Sequence, residues 1–472
     1  MSKKYTSIAA LLVALSLGAG NADAQYLTNF AGNGFGAGTG SGGRSGDGGP
    51  ALSAELSSPS GVANYGYINV YITDPGNHVV RKIDYTGTIS TFAGNNLVGY
   101  TSGNTIAATA SRLGTPYGIA VDSVNNVFFS DYTNNVVYKV DTAGILSTVA
   151  GNDTAGYSGD NDLAIHAQLD HPMGIALDHY NNLYIADALN NVIRRVDAIT
   201  GTITTYAGTG YGSGLSSGHG SYSGDGGQAT NATLNYPTGV ATDVYGNVYI
   251  ADANNNVIRK VNNTTGIIST VAGNGFGAFS GDGGPAVAAS LLFPAGVSVD
   301  GTGNIYIADE GNNNVRKVTT DGNIATIAGN HAAGYSPSNH IATASQLDGP
   351  VALNVDGNGL VYIADQRNNL IRIIGPASIL TGVTNVNQSA TQPRIYPDPV
   401  VSSFTVDLGQ PADHAAVSAV SVIDMTGRTV LTNNLTAQKT TIAIPGIPAG
   451  TYLVSVTTSG ISYRSRITVI AQ

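Results

Sequence analysis

The stretch NVYIADANNNVIRKV, residues 247–261, decides the fold, because versions of it occur six times in the chain. Its aspartate, Asp252, has counterparts at positions 74, 131, 187, 309 and 365. The spacings between successive aspartates are 57, 56, 65, 57 and 56 residues. A near-constant period of this length predicts one supersecondary unit repeated in a closed or stacked array.

The unit that contains this stretch runs from Pro237 to Asn274. Its β-branched and aromatic residues favour four short strands, and Gly, Asn and Asp mark the turns between them. A Gly-rich loop and a short helical signature follow, which the next unit shows as Pro285-Ala286 and the alanines after it. Four antiparallel strands in about 40 residues are typical of a propeller blade.

The two ends of the array predict how the ring closes. The sixth unit stops at Gly375-Pro376, before its fourth strand. Residues 26–33 (YLTNFAGN) match the fourth-strand pattern of residues 89–95 (ISTFAGN). The N-terminal strand is therefore expected to complete the last blade, which hides two open sheet edges at once. The sequence predicts an all-β, six-bladed propeller closed by strand exchange.

The repeated motifs resemble NHL repeats. They are carried by PTGVA at 237–241, GNVYIAD at 246–252 and NVIRKV at 256–261, and the array covers about 350 residues. The resemblance implies the propeller fold. It leaves the activity open, since the family includes RNA binders, lyases, receptor ectodomains and many uncharacterised surface proteins.

The first residues of the chain have the features of a secretory signal peptide. Lys3 and Lys4 precede an apolar run, and an Ala-Asp-Ala sequence predicts cleavage between Ala24 and Gln25. No other stretch approaches the roughly 20 apolar residues that a membrane span needs. We therefore expect a signal peptide at 1–24, a propeller at 25–375, a linker at 376–392 and a second domain at 393–472.

The last eighty residues show short alternating strands, which favour a small immunoglobulin-like β-sandwich. Tyr396-Pro397-Asp398-Pro399, residues 424–428 (DMTGR) and residues 449–452 (AGTY) are similar to the C-terminal sorting domain of the Bacteroidetes type IX secretion system. That family usually has Asn at the position of Asp398. The resemblance implies a type IX secretion partner and export across the outer membrane, followed by release or surface attachment and removal of this domain.

Composition narrows the classes of function. The formal net charge is −10, and removal of residues 1–24 leaves 18 basic and 29 acidic residues. Nucleic-acid binding proteins normally present a basic surface, so this balance disfavours nucleic acid as a partner. The chain has no cysteine, so disulfides cannot stabilise the exported protein.

An arginine follows the repeated aspartate by seven residues in five units. We predict that each pair forms a structural ion pair between blades, since diagonal neighbours on adjacent strands lie about 7–8 Å apart. The second unit departs from the pattern, because Tyr138 takes the arginine position after Asp131. The pairs are Asp74/Arg81, Asp187/Arg194, Asp252/Arg259, Asp309/Arg316 and Asp365/Arg372.

A second set of aspartates lies in the Ser-Gly-Asp loops that connect units, namely Asp47, Asp160, Asp225 and Asp282. These loops are expected to line one rim of the ring. The main interpretation is that each carboxylate caps the short helix after it. A calcium ion held by rim oxygens is the alternative; beyond this possible calcium, the sequence predicts no cofactor.

Catalysis finds little support in the sequence. It has only two glutamates, Glu55 and Glu310, no cysteine, and eight histidines that do not recur at one blade position. The leading hypothesis is a binding or adhesion module for a protein or carbohydrate ligand at the cell surface. A lyase or hydrolase acting on a glycan or peptide at the central channel is the alternative. Converging His, Asp or Asn side chains at the channel mouth would favour the enzyme, and a Gly- and Ser-lined mouth would favour binding.

Two of the connecting loops are longer than the others, at residues 34–45 and 208–223. Binding specificity commonly lies in lengthened loops on a rigid scaffold. Tyr211, His219 and Tyr222 in the second loop offer stacking and hydrogen-bonding groups. We therefore expect these three residues, with the four loop aspartates, to contribute to a ligand site.

Overall fold

A computed structural model of the protein describes residues 25–38, 42–66, 69–101, 106–215, 219–376, 394–396, 402–407, 418–424, 428–435, 439–458 and 461–469. The predicted signal peptide and nearly all of the predicted linker lie outside the described residues. Of the predicted cleavage pair, Ala24 lies outside them and Gln25 begins the first strand.

Residues 25–376 form six antiparallel sheets of four principal strands each, which we number blades 1 to 6 in chain order. The strands of blades 1 to 3 are Gly61–Tyr65, Asn69–Asp74, Val79–Ile83 and Ile89–Ala93; Pro116–Val121, Val127–Asp131, Val136–Val140 and Ile145–Ala150; and Pro172–Leu177, Leu183–Asp187, Val192–Val196 and Ile203–Ala207. Those of blades 4 to 6 are Pro237–Thr242, Val248–Asp252, Val257–Val261 and Ile268–Ala272; Pro294–Val299, Ile305–Asp309, Asn314–Val318 and Ile324–Ala328; and Pro350–Val355, Val361–Asp365, Leu370–Pro376 and Gln25–Ala31. Ile106–Ala107 and His340–Ile341 add short fifth strands to blades 2 and 6.

Short 3-10 helices occupy two positions of the repeat. One set follows the second strand of five blades, as Pro75–Asn77, Ala188–Asn190, Ala253–Asn255, Glu310–Asn312 and Gln366–Asn368. The other precedes the first strand of every blade, as Ala51–Ser53, Ala108–Ala110, Ala164–His166, Ala229–Asn231, Ala286–Ala288 and Ala342–Ala344. The predicted helical signature is therefore a single 3-10 turn.

The sheets pack into a closed ring. The first strand of each blade contacts the first strand of the next, and the first strand of blade 6 contacts that of blade 1. The hydrophobic core is divided among the junctions between neighbouring blades. One cluster joins Tyr184 and Ile193 of blade 3 to Val240 and Ile250 of blade 4. No sheet buries its own faces, so stacking in a ring supplies the core.

The predicted strand exchange closes the ring. Gln25–Ala31 pairs with Leu370–Pro376, with Tyr26 opposite Gly375 and Leu27 opposite Ile374. Leu27 and Ala31 are fully buried. The chain thus joins its first and last propeller strands in one sheet.

The register defines two faces. The first strand of blade 4 begins at Pro237 opposite Asp252, where the second strand ends. We call the face that carries these ends the mouth face, and the other the far face. Gln25 pairs with Pro376 at the far end of blade 6. The propeller therefore begins and ends on the far face.

The C-terminal residues form two more sheets. Arg394–Tyr396, Ser403–Asp407 and Lys439–Ala443 make the first, and Thr429–Leu435, Ser418–Asp424, Gly450–Thr458 and Ile461–Val469 make the second. Phe404 and Ile442 of the first share a hydrophobic cluster with Val422 and Val454 of the second. An immunoglobulin-like connection of these two layers remains a prediction.

In the part of the chain that the structure describes, no helix is long and apolar enough to cross a membrane.

Candidate functional site

The central channel is lined by the first halves of the six innermost strands, mainly glycine and aliphatic side chains such as Gly239, Val240 and Val297. Its cavity measures about 70 Å³. Pockets for small ligands usually enclose about 300–1,000 Å³. The channel interior is therefore smaller than the pockets that hold organic ligands, and the residues at its mouth are the candidate site.

The mouth is shaped by the residue before the first proline of each blade. In five blades this residue has a positive φ, as in His171 (55°), Tyr236 (54°) and Phe293 (49°). An asparagine of the preceding blade fixes it: the side chain of Asn256 accepts a 2.9 Å hydrogen bond from the Phe293 N–H. The left-handed backbone conformation costs free energy for bulky residues. The surrounding structure must therefore impose it at these positions.

Four aromatic side chains from three blades meet at the mouth. The ring centroids of Tyr117 and Tyr132 in blade 2 are 6.2 Å apart, and those of Tyr236 and Phe293 are 6.3 Å apart. Burial raises the pKa of Tyr236, and interactions with the Tyr132 hydroxyl raise it further. Burial also raises the pKa of Tyr117, as does the charge of Glu310 in blade 5. Residues of blades on opposite sides of the ring therefore converge over the channel axis.

Ionisable groups surround this aromatic cluster. The Nδ1 atom of His171 lies 2.6 Å from Oδ1 of Asp170, and the His171 ring is 4.3 Å from the Tyr132 ring. Arg367 lies 3.5 Å from both Glu310 and Asp348. The mouth thus combines aromatic faces with one imidazole, three carboxylates and one guanidinium. It includes the three His and Asp side chains of His171, Asp170 and Asp348 together with aromatic rings, so its composition does not separate the binding hypothesis from the enzyme hypothesis.

The repeated Asp/Arg pairs lie under the rim of the mouth face. Arg259 is fully buried, and its Nη1 is 3.4 Å from Asp252, which is also fully buried. In the other four pairs the same Nη1–carboxylate distance is 3.6 Å for Arg81, 3.5 Å for Arg194 and Arg316, and 3.4 Å for Arg372. Each pair joins two strands of one blade, so the prediction of a contact between blades was wrong. The seven-residue spacing follows the hairpin register, in which Arg259 faces Ile250 and Asp252 faces Val257.

The loop aspartates bind the same arginines. Asp47, Asp160, Asp225 and Asp282 lie 2.5, 2.7, 2.6 and 2.6 Å from Arg81, Arg194, Arg259 and Arg316. The expectation that they cap the following helices was wrong. Those helices begin at Ala51, Ala164, Ala229 and Ala286, and none has a side-chain cap. A buried guanidinium attracts the carboxylate more strongly than the free amides of a single 3-10 turn do.

An aromatic ring covers the guanidinium in four blades. Tyr222 lies 4.8 Å from Arg259, and its hydroxyl hydrogen-bonds Asp225 and Thr270. Tyr157, Phe279 and Tyr335 take the same place over Arg194, Arg316 and Arg372. Tyr222 is therefore one member of a repeated packing unit, although 48% of it is exposed. Its predicted role in ligand binding stays a prediction.

Blade 1 has Arg44 at the position of the aromatic residue, and blades 2 and 6 depart from the aspartate–arginine arrangement itself. In blade 6 the loop has Ser338 in place of the aspartate, and its hydroxyl accepts the Asn29 N–H at 3.0 Å. In blade 2 Tyr138 replaces the arginine and donates to the Thr101 carbonyl at 3.3 Å. Asp131 then faces no cation, and burial raises its pKa. Across the described residues, no group of three His, Cys, Asp or Glu side chains is arranged to hold a metal ion.

The buried aspartates make stability depend on pH. Burial raises the pKa of Asp74 and Asp187 to about 7 and that of Asp252 to about 6. A carboxyl with a higher pKa in the folded state stabilises the fold while protonated, and this stabilisation is lost as the pH rises through the folded pKa. We expect the free energy of unfolding to fall between about pH 4, near the pKa of an aspartate in the unfolded chain, and about pH 7, the highest of the folded pKa values. Urea denaturation across this range measures it. Asp252→Asn should make the fall smaller but not remove it, because Asp74 and Asp187 still titrate. A flat profile for the unmodified protein would contradict the prediction.

The two long loops are fixed to the mouth face. Tyr211, 62% exposed, has its carbonyl held by the Asn191 side chain at 3.0 Å. His219 lies beside Gly212, where an added Cβ would meet the His219 carbonyl at 2.2 Å. The structure thus brings Tyr211 and His219 into one folded loop on the mouth face.

Sequence reasoning missed most of the mouth. Tyr117, Tyr132, Tyr236 and Phe293 were not predicted as site residues, and Glu310 stood out only as one of two glutamates. The signal in the sequence was one repeat position whose residue differs in every blade while the residues around it are shared. The position before the first proline reads Ser58, Thr115, His171, Tyr236, Phe293 and Gly349 in the six blades. A side chain that differs in every blade serves no packing role shared by the repeats. At this position His171, Tyr236 and Phe293 contact other aromatic residues of the mouth.

Comparison with known proteins identifies both parts of the chain. A family model described as "Secretion system C-terminal sorting domain" matches residues 394–470, and one described as "Teneurin NHL domain" matches residues 207–278 and 276–348. Teneurin-4 of Mus musculus is 30% identical over 243 residues, which cover 48% of this chain and 9% of that protein. The chloroplastic protein SUPPRESSOR OF QUENCHING 1 of Arabidopsis thaliana is 28% identical over 273 residues, covering 56% and 25%. The matches thus span a quarter or less of the length of these relatives.

Solved structures share the fold. A protein of unknown function from Bacteroides thetaiotaomicron superposes with a TM-score of 0.52 at 20% identity, covering 75% of this chain and 76% of that one. An auxiliary nutrient binding protein from Bacteroides ovatus gives 0.52 at 15% identity, with coverage of 75% and 77%. The chain is an NHL-repeat β-propeller protein with a C-terminal sorting domain of the type IX secretion system. This domain indicates export, followed by surface attachment or secretion.

Proposed function

We propose that the protein is an extracellular binding module that holds a carbohydrate or protein ligand at the mouth of its propeller. The observation that carries this proposal is the aromatic cluster of Tyr117, Tyr132, Tyr236 and Phe293 over a channel smaller than the pockets that hold organic ligands. Aromatic rings with polar tips supply large contact areas at low cost in side-chain entropy. The carboxylates, the imidazole and Arg367 around them provide directional hydrogen bonds.

The position of the chain ends supports this role. Pro376, from which the chain continues to the sorting domain, lies on the far face, opposite the mouth. A protein attached through its C-terminal part would therefore present the mouth away from the point of attachment. A site on the exposed face of a tethered ring suits capture of an external ligand.

We expect Tyr132→Ala and Tyr236→Ala each to weaken ligand binding at least about tenfold, which corresponds to about 1.4 kcal/mol. Each variant removes one ring of the cluster from a partly exposed position, so the melting temperature should change little. A glycan array followed by calorimetry of the bound compounds measures the effect. Tyr245→Ala is the matched control, since Tyr245 is 77% exposed on the far face. Equal binding by all three variants would place the site elsewhere.

A lyase or hydrolase is the second candidate, and the Asp170–His171 pair favours it. Asp170 is only 7% exposed and orients the imidazole through Nδ1, which leaves Nε2 to act as a base. Incubating the bound glycans or peptides with the protein and separating the products by mass tests this. Cleavage that His171→Ala abolishes, with binding retained, would make the mouth a catalytic site; unchanged ligand would leave it a binding site.

A further inference from the structure

The two long loops lie opposite each other on the ring. One, loop A, comprises the described residues 34–38 and 42–45 and connects blade 6 to blade 1. The other, loop B, comprises residues 208–215 and 219–223 and connects blade 3 to blade 4. These two junctions are three blades apart in a ring of six, and both loops are on the mouth face.

Both loops make the same turn onto equivalent atoms. The N–H of Gly38 in loop A donates to the Arg367 carbonyl at 2.7 Å, and the N–H of Gly214 in loop B donates to the Leu189 carbonyl at 3.3 Å. Arg367 and Leu189 each follow the strand-end aspartate by two residues, in blades 6 and 3. Asn369 and Asn191 hold the carbonyls of Phe35 and Tyr211 at 3.0 Å. Two similar loops are therefore anchored on opposite sides of the mouth.

The shorter loops leave the remaining sides open. In the corresponding loop between blades 4 and 5, Ala278 already bonds back to Leu291, and the chain reaches Asp282 seven residues after Gly275. In loop B the equivalent distance, from Gly210 to Asp225, is fifteen residues. The lengthened walls therefore flank an axis that runs from blade 2 across the mouth to blade 5.

The mouth residues follow this open axis. Tyr117 and Tyr132 belong to blade 2, and Phe293 and Glu310 belong to the start of blade 5 and its first turn. Tyr236 and His171 lie beside them, toward loop B. Exposed apolar side chains rim the walls, with Phe35 at 57% and Tyr211 at 62% exposure. A groove open at both ends binds the middle of a chain, whereas a closed pocket binds an end or a small molecule.

We propose, resting on the proposed function, that the mouth is an open-ended groove that binds an uncharged polysaccharide along the axis from blade 2 to blade 5. The charges on the mouth favour this occupant over an anionic polymer, because among the described residues the ion pairs of Asp170, Glu310 and Asp348 are with Arg367 and His171 alone. The propeller as a whole has 13 Lys and Arg against 25 Asp and Glu in residues 25–376. The flat rings of Tyr132 and Tyr236 suit pyranose faces, and the surrounding carboxylates suit hydroxyl groups.

Calorimetry with neutral oligosaccharides of increasing length tests the groove, using the glucan, xylan, mannan and chitin series from disaccharide to soluble polymer. Affinity in the recognised series should rise at least about tenfold from the disaccharide to the longest member and then level off. Equal affinity for disaccharide and polymer would overturn the groove. Binding of basic or neutral peptides in place of every glycan series would overturn the carbohydrate assignment.

Loop variants test the walls. Replacing residues 210–221 of loop B with residues 275–278 (GFGA) of the shorter loop should weaken polymer binding and leave disaccharide binding unchanged. Tyr211→Ala probes the same wall without changing loop length, and Phe276→Ala is its control on an open side, at 75% exposure. Polymer affinity that neither the loop replacement nor Tyr211→Ala reduces would overturn the proposal. This failure differs from failure of the proposed function, in which Tyr132→Ala and Tyr236→Ala would leave all ligand binding intact.

Discussion

Deleting residues 26–32 should unfold or aggregate the propeller. These residues supply the fourth strand of blade 6, pair with Leu370–Pro376, and bury Leu27 and Ala31 completely. Their loss leaves an open sheet edge and a cavity on each side of the blade. A large-to-small change at one buried leucine already costs about 2–5 kcal/mol. Domains are typically stable by only about 5–15 kcal/mol, so loss of a whole core strand should consume much of that margin.

The measurement is the melting temperature together with the oligomeric state by light scattering. A chain that begins at Gln25 is the matched control, because it lacks the predicted signal peptide but keeps the strand. Unpaired strand edges promote association between chains, so the deleted variant should also form larger species. A monomeric variant with the melting temperature of the control would show that the ring does not depend on strand exchange.

The fold could be predicted from the sequence because one pattern of strand and turn residues occurs six times. The strand and turn residues around Asp252 fix a hairpin register, and the period places each unit beside the next. The closing strand was predictable for the same reason, since residues 26–33 match a fourth strand. The second domain was predictable from landmarks such as Asp424 and Arg428, and the immunoglobulin-like connection of its two sheets remains a prediction.

The candidate site was less predictable, because it consists of residues that differ from one repeat to the next. His171, Tyr236 and Phe293 occupy one repeat position with three unrelated side chains. Nothing local in the sequence shows that they meet at the mouth of the channel. Their proximity to Tyr132 follows from ring closure, which brings residues of blades 2 and 4 together across blade 3. A motif search cannot find a site whose residues are brought together only when the ring of blades closes.

The loop aspartates show how a local interpretation fails. Asp225 precedes a helix, so a capping role follows from neighbouring residues alone. In the structure its carboxylate instead reaches Arg259, which lies 34 residues later in the chain. The partner was visible in the sequence as the repeated arginine. Its distance from Asp225 depends on how the connecting loop returns over the sheet, and local pattern does not encode that path.

Arg259→Ala should destabilise the propeller by about 3–5 kcal/mol, the range for removing one partner of a buried ion pair. The guanidinium lies 3.4 Å from Asp252 and 2.6 Å from Asp225, and it donates to the Ser223 carbonyl at 3.1 Å. Its removal leaves a fully buried carboxylate at Asp252 without a cation. The loss should grow as the pH rises above about 6, because an unpaired Asp252 must then ionise in the interior or stay protonated at increasing cost. Urea denaturation at two pH values measures both effects.

Blade 2 supplies the control for this prediction. There Tyr138 replaces the arginine and donates to the carbonyl of Thr101, which corresponds to Tyr222 in blade 4. The double variant Arg259→Tyr with Asp225→Asn copies that arrangement into blade 4, and it should recover a large part of the stability lost in Arg259→Ala. Ligand binding at a permissive temperature should be the same in all three proteins. If Arg259→Ala lost binding at unchanged stability, Arg259 would belong to the binding site and not to the scaffold. If it kept both stability and binding, the buried pair would contribute nothing to the stability of the fold.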